Sequence, residues 1–228
     1  MAFSARSYDQ TTGTVATNRV LRNTYALLGL SMIPTVIGAF IGLSMNFSFM
    51  AEHPIMGAIG MIAVMFGLLW AVQANKDSGL GVVLMLAFTG VMGVFLGPIL
   101  QMAMGLSNGG QIVGLAAGGT GIIFLTLSTI ATTTKRDFSF MGKFLMVGLV
   151  LLIVASLANL FFQIPALALA LSGVAVLLFS GLLLFDISRI VNGGETNYVM
   201  ATLSVYLDLY NIFVNLLQLL MAFMGERD

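Results

Sequence analysis

The sequence predicts an all-α integral membrane protein with seven transmembrane helices. Its 228 residues are 59% hydrophobic and only 8% charged, whereas soluble domains are about 25% charged and need those groups on their surface. The apolar residues fall into seven runs of about 20 residues or more, the length at which a helix crosses ~30 Å of hydrocarbon. The runs are continuous rather than alternating, which favours helices over a closed barrel.

The seven predicted spans are separated by short polar connections. They cover about residues 24–45, 55–74, 80–104, 112–134, 143–162, 166–190 and 199–224. Residues 19–228 are therefore predicted to form one seven-helix domain. Residues 1–18 are polar, and we expect a retained, partly disordered cytosolic tail. We do not expect a signal peptide, because the polar lead and the apolar run after it are both too long.

The basic residues predict the orientation. On one side of the membrane lie Arg6, Arg19, Arg22, Lys76, Lys135, Arg136, Lys143 and Arg189. The opposite connections, around 46–54, 105–111 and 163–165, hold no Lys or Arg. Because cytoplasmic loops are enriched in these residues, we expect a cytosolic N-terminus. Span 7 is long enough to cross, which predicts a periplasmic C-terminus.

Composition excludes several kinds of site. The chain has no cysteine, which rules out disulfides, thiolate metal sites and thiol catalysis. A single histidine, His53, rules out multi-histidine metal sites. The formal net charge is zero and no basic patch indicates nucleic acid. We expect no cofactor, because AGGTG at 117–121 lacks the Lys-Ser/Thr of a phosphate loop and lies within a span.

Glycines at helical spacing indicate close helix packing. Gly38/Gly42 in span 1 and Gly114/Gly118 in span 4 have GxxxG spacing. In lipid such small residues let two backbones approach, so we expect both pairs to be packing positions. Pro34 and Pro98 are expected to kink spans 1 and 3, since proline removes a backbone hydrogen bond.

Span 7 carries a polar stripe. Its members follow one another at steps of four and three residues: Asn197, Ala201, Ser204, Asp208, Asn211, Asn215, Gln218, Ala222 and Gly225. That spacing gives one continuous face of an α-helix. The other faces are mainly Leu, Val, Phe, Met and Tyr. We therefore expect protein to surround this helix, with the stripe facing a cavity or other helices.

Asp186 and Asp208 are the two acids inside the apolar segments. The connection NGGETN between spans 6 and 7 is short, so these spans form an antiparallel hairpin. Asp186 lies 9 residues before Glu195 and Asp208 lies 13 after it. At ~1.5 Å per residue their depths differ by about 6 Å. Both acids are thus expected in the cytoplasmic half, at a depth where they can face each other.

Two acids at one depth in a bilayer predict a shared proton. One ionised Asp at a helix centre costs about 2.5–3.5 kcal/mol, and a second adds repulsion, so the titration belongs to the pair. Such a pair would be a proton sensor and ion gate. It would also attract Ca²⁺, which takes about 6–8 oxygen ligands, with Ser204 and Asn211 contributing. In the structural alternative Asp186 pairs with Arg189 as a counter-charge, and Asp208 is a neutral acid.

Five stretches of the chain carry a resemblance to a known family. They are RVLRNTYALLGLS (19–31), FTGVMGVFLGPIL (88–100), GGTGIIFLTLSTIATTTKRDFSFMGKFL (118–145), ANLFFQIPALALALS (158–172) and LLLFDISRIVNGGETNYVMATLSVYLDLYNIFVNLLQLL (182–220). With these the chain resembles a bacterial member of the Bax inhibitor-1 family, the transmembrane Bax inhibitor motif proteins. It is most similar to the branch that modulates FtsH, a membrane-anchored ATP-dependent protease of the inner membrane.

The resemblance implies a fold with span 7 central in the bundle. It also implies, for some members, a pH-sensitive calcium leak with a di-acidic sensor on the last two helices, at the positions of Asp186 and Asp208. The family pattern includes a basic partner from an early helix, whereas spans 1–4 of this sequence hold no Lys or Arg.

Three functions remain open. The first is a calcium or cation leak channel gated by the Asp186–Asp208 pair. The second is a modulator of FtsH that acts by direct association. The third is an intramembrane aspartyl protease, which also places one Asp on each of two neighbouring helices. Those proteases have a Gly-x-Gly-Asp motif, but the acids here stand in FD and VYLD, so we expect no enzyme.

Overall fold

The computed structural model describes residues 2–48, 52–134 and 136–225, with side chains from residue 18 onwards except that of Pro54. Lys135, used above for orientation, lies outside these ranges. The elements are α1 (Ala2–Ser44), α2 (Pro54–Ala74), α3 (Gly79–Phe95), α4 (Gly97–Met104), α5 (Gly109–Thr134), a 3₁₀ turn (Ser139–Met141), α6 (Gly142–Phe162), α7 (Pro165–Val191) and α8 (Tyr198–Met224). The described residues contain no strand.

The predicted fold class is confirmed. Seven helical segments are long and apolar enough to cross a membrane: Asn18–Ser44, Ile55–Ala74, Gly79–Met104, Gly109–Thr134, Ser139–Phe162, Pro165–Val191 and Tyr198–Met224. Large apolar side chains such as Trp70, Phe144 and Leu177 are about three-quarters exposed on their outer faces. A soluble protein would bury them, but lipid tails are as apolar as leucine. The chain is a multi-pass membrane protein.

The first helix begins earlier than the sequence predicted. Helix α1 starts at Ala2, so the polar segment 1–18, expected to be partly disordered, is helical from residue 2. A helix that is already nucleated adds one hydrogen bond for each residue it fixes, so lengthening it costs less than starting another. Residues 2–18 contain one glycine and no proline that would interrupt the helix.

The third span consists of two helices. Helix α3 ends at Phe95 and α4 begins at Gly97, with Pro98 in its first turn. A proline is tolerated there because the first N–H groups of a helix have no intrahelical acceptor. This is the interruption predicted from Pro98.

Glycines bring α1 and α3 into backbone contact. A Cβ atom on Gly38 would overlap the carbonyl oxygen of Gly90, and one on Gly93 would overlap that of Thr35. Gly42 is equally close, since its Cβ would lie 2.6 Å from the carbonyl oxygen of Val94. The packing role predicted for Gly38 and Gly42 is confirmed.

The same prediction is wrong for the second GxxxG pair. Around Gly114 and Gly118 an added Cβ would meet no atom within 4 Å, and both glycines are exposed. The rotation of α5 about its axis turns this pair away from the other helices of the bundle. The spacing alone does not fix that rotation.

Helix α8 is surrounded on several sides. It packs against α1, α3, α4, α5 and α7, whereas α6 packs on α7 and the 3₁₀ turn. Tyr206 shows how closely α8 is enclosed: it is 1% exposed, and its hydroxyl lies 2.9 Å from the hydroxyl of Thr35 on α1.

Helices α7 and α8 form the predicted antiparallel hairpin. Their polar side chains meet where α6, α7 and α8 come together.

Candidate functional site

Asp208 lies within the unbroken helix α8. The helix holds neither glycine nor proline between Tyr198 and Met224, so its backbone supplies no free donor for a carboxylate in mid-span. Asp208 is only 5% exposed. Its Oδ2 atom is buried and has no hydrogen-bond partner among the described residues. Burying an acid in this position costs free energy unless its other oxygen has a hydrogen-bond partner.

The acid next to Asp208 is Asp186 of α7. The two side chains are close neighbours across the hairpin, and the side chain of Asp186 is 16% exposed. A carboxylate only accepts hydrogen bonds, so two carboxyl groups can bond to each other only when one of them carries a proton. A direct hydrogen bond between these two neighbouring acids would therefore require that they share one proton.

Arg189 covers the pair at the end of α7. Its guanidinium lies 3.8 Å from an oxygen of Asp186 and 3.5 Å from an oxygen of Glu195. It also stands over the ring of Phe185, 5.7 Å from the centroid. The Arg189 side chain is 37% exposed, so each ion pair contributes at most about 1 kcal/mol. Arg189 supplies a positive charge next to Asp186 from the same helix.

The turn between α7 and α8 is tied to a neighbouring loop. The Oδ1 of Asn197 accepts hydrogen bonds from the N–H groups of Val199 and Met200 and so caps α8. Its Nδ2 donates to the carbonyl oxygen of Lys76 and, at 2.8 Å, to Oδ1 of Asp77. The loop between α2 and α3 therefore fixes the start of the helix that carries Asp208.

Sequence reasoning missed the parts played by Glu195 and Asp77. Glu195 accepts a hydrogen bond from the backbone N–H of Asn197 at 2.9 Å in addition to its ion pair with Arg189. Both acids stand in polar connections, where a solvated surface role is the usual interpretation. A signal was present for Asn197, since Asn before an apolar helix is a preferred N-cap.

A small cavity lies beside the acid pair, toward the turn. Its volume is about 10 Å³, and Asp186, Arg189, Ile190, Glu195, Ala201 and Ser204 line it. A cavity needs at least about 10–15 Å³ to hold one water molecule. On this side of the pair there is almost no open space along the polar stripe, whose members Ser204 and Ala201 line the cavity.

A much larger cleft lies on the other side of the pair. It has a volume of about 420 Å³ between α6, α7 and α8. Its polar lining residues are Ser156, Asn159, Ser172, Asn211, Asn215 and Gln218. The last three are the polar members of the stripe predicted beyond Asp208. Ser172 donates to Oε1 of Gln218 at 2.9 Å. The stripe thus joins two cavities of very different size, with Asp208 between them.

The donor set suits a hard cation only weakly. In the described ranges no three His, Cys, Asp or Glu side chains stand close enough together to hold a metal ion. Two carboxyl groups with nearby hydroxyl and amide oxygens are ligands of the type that Ca²⁺ prefers, but they fall short of a tight calcium site. The arrangement can move a proton between carboxyl groups and attract a passing cation.

Comparison with known proteins gives consistent matches along the chain. Residues 17–225 match the family model described as "Inhibitor of apoptosis-promoting Bax1". The chain is 41% identical over 214 residues to the "Modulator of FtsH protease YccA" of Escherichia coli K12, with 94% of each chain covered. The "Inner membrane protein YccA" of E. coli O6:H1 matches to the same extent. An uncharacterized protein of Neisseria meningitidis serogroup B is 41% identical over 96% of this chain and 97% of its own.

Proposed function

Because this chain belongs to the Bax inhibitor-1 family, we propose that it is a proton-regulated cation leak of the inner membrane, with Ca²⁺ as the cation. One observation supports the proposal: Asp186 and Asp208 are neighbouring, largely buried acids on two helices inside the membrane-spanning region. Buried acids within a bilayer are costly and mark ion or proton pathways.

The proposed gate works through the charge of the pair. With one proton shared, a hydrogen bond holds α7 and α8 together and the leak is shut. When the pair loses that proton, two negative charges face each other at low dielectric. At ~4 Å and an effective dielectric constant of about 20 the repulsion is about 4 kcal/mol. That energy shifts the ratio of open to closed molecules by up to roughly a thousandfold.

Other charges around the pair set the closed state. Arg189 bridges Asp186 and Glu195 on the side of the turn, where the cavity is smallest. Asp77 reaches the same turn through Asn197. Opening then requires Arg189 to leave Asp186 as the hairpin loosens. Among the described residues, the charged groups that act on the pair are Arg189 and Glu195, both at this end of the bundle.

The proposed orientation puts this end in the cytosol. The turn joining α7 and α8 lies on the same side as the connections that carry Lys76, Arg136 and Lys143, and basic loops face the cytoplasm. Inner-membrane location is the printed description of the relative from E. coli O6:H1. The N-terminus is then cytosolic and the C-terminus periplasmic.

Calcium flux into liposomes tests the leak. The purified protein is reconstituted around a Ca²⁺-sensitive dye, and the rate of dye response is measured from pH 5 to pH 8. We expect the wild-type rate to rise with pH and the Asp186→Asn/Asp208→Asn double variant to lose that dependence. Asp137→Asn, which removes an exposed acid of a loop, is the matched control. Equal pH profiles for wild type and the double variant would reject the gate.

A second role is proposed from the relatives. The E. coli K12 relative is named a modulator of FtsH protease and aligns over 94% of both chains. We propose that this chain also modulates FtsH, by direct association in the membrane. Co-purification with FtsH, and turnover of a membrane substrate of FtsH with and without this chain, test the idea. The absence of both association and any change in turnover would contradict it.

A further inference from the structure

We infer that the cleft between α6, α7 and α8 is the outer vestibule of the leak, where neutral oxygen atoms bind a hydrated cation before it reaches Asp208. The inference rests on the proposed leak and adds a binding site to it. The site lies in the half of the bundle away from the basic loops. Its ligands are amide and hydroxyl oxygens, which favour hard cations without holding them tightly.

The two asparagines of the cleft present oxygen rather than nitrogen. The Nδ2 of Asn211 donates to the carbonyl oxygen of Leu207, and the Nδ2 of Asn215 donates to that of Asn211, both at 2.8 Å. Only the NH₂ end of an amide can bond to a carbonyl, so each Oδ1 is turned away from its own helix. No described residue donates to either Oδ1. Two acceptor oxygens therefore face the space lined by these residues.

The volume of the cleft favours water as its normal content. About 420 Å³ is room for on the order of ten water molecules at ~30 Å³ each. Six of its fifteen lining residues are polar, and water can hydrogen-bond to their unpaired atoms, which hydrocarbon cannot do. The cavity on the cytosolic side of the pair holds one water at most. The part of the path that has no room for water, and that therefore blocks an ion, lies at Asp186, Asp208 and Arg189.

The polar stripe connects the cleft directly to the pair. Asn211 follows Asp208 by three residues, so the two share one helix face. From Asp208 to Gln218 the stripe rises about 15 Å, half of the ~30 Å hydrocarbon layer. A cation in the cleft therefore passes from amide oxygens to a carboxylate within one helical turn.

The dimensions of the cleft disfavour a protein occupant. Along α8 it extends from Asn211 to Gln218, about 10 Å, whereas a transmembrane segment of a partner needs a groove close to 30 Å long. The wall opposite α8 is α6, which packs closely on α7: a Cβ on Gly148 would lie 2.8 Å from Leu178. The cleft is short and closed at its base by α7.

Thiol labelling tests the vestibule independently of calcium flux. Because the chain has no cysteine, single cysteines at Asn215 and Gln218 can be probed without background. The probe is a membrane-impermeant, positively charged methanethiosulfonate reagent added to one side of sealed vesicles. The matched control is Val154→Cys on α6, which is 58% exposed and lies about as far from its helix end as Asn215 does.

We expect Asn215→Cys and Gln218→Cys to react at least tenfold faster than Val154→Cys, and only from the side opposite the basic loops. The bound positive charge should then inhibit the calcium leak of both variants. Reaction of both as slow as that of Val154→Cys, in variants that elute as the wild type on size exclusion, would overturn the vestibule and indicate lipid or a partner in the cleft. A pH-dependent leak would still stand in that case. Fast labelling without any calcium flux would instead overturn the leak.

Discussion

Alanine at Gly38 and at Gly118 provides a sharp test of the fold. Both glycines belong to GxxxG pairs within membrane spans, yet their surroundings differ. At Gly38 an added methyl group would overlap the carbonyl oxygen of Gly90, which belongs to the backbone of α3. At Gly118 the same group would meet no atom within 4 Å. The two substitutions are chemically identical and differ only in what they contact.

The expected free-energy changes have opposite signs. Overpacking costs about 1–3 kcal/mol, and alanine favours a helix over glycine by about 1 kcal/mol. Gly38→Ala should therefore destabilise the protein by up to about 2 kcal/mol, since backbone cannot move aside as a flexible side chain does. Gly118→Ala should stabilise it by up to about 1 kcal/mol. For a chain of this size 1 kcal/mol corresponds to roughly 2–4 °C in Tm.

Thermal unfolding in detergent measures the difference. Aliquots of each purified variant are heated, and the fraction that keeps its size-exclusion peak is plotted against temperature. The Tm of Gly38→Ala should fall by up to about 8 °C and that of Gly118→Ala should rise by up to about 4 °C. Equal shifts for the two variants would refute the placement of α1 against α3.

Three further predictions concern the site and its supports. The side chain of Asn in Asp208→Asn can donate a hydrogen bond to Asp186 at every pH and so mimics the protonated acid. We therefore expect the calcium leak of this variant to stay low from pH 5 to pH 8. A leak that still rises with pH would contradict the gate. Asn197→Ala removes the N-cap of α8 and the hydrogen bond to Asp77, and should lower the stability of the protein by about 1 kcal/mol in the same thermal assay. Asn197→Asp, the control, keeps the N-cap but loses the hydrogen bond to Asp77. Tyr206→Phe leaves the hydroxyl of Thr35 without its partner on α8 and should lower stability by about 1 kcal/mol, whereas Tyr25→Phe, at a half-buried position, should cost less.

The sequence by itself determined the class of the protein, its seven spans and the antiparallel hairpin of α7 and α8. Each of these depends on local quantities: the length of an apolar run, the 3.6-residue period and the length of a connection. The similar depth of Asp186 and Asp208 follows from counting residues out from a short turn. Composition alone was enough to exclude thiol chemistry.

Only the tertiary structure decided how the helices are rotated and what each face meets. In lipid a leucine gains nothing by turning inward, so hydrophobicity does not orient a span. For this reason Gly38 and Gly118 share one sequence pattern, but Gly38 lies in a tight helix contact and Gly118 lies on an open surface. The polar stripe is continuous in the sequence, yet it borders a nearly closed cavity at Ser204 and a wide cleft at Asn215. The positions of α6 and Arg189 create that difference, and the sequence pattern does not fix them.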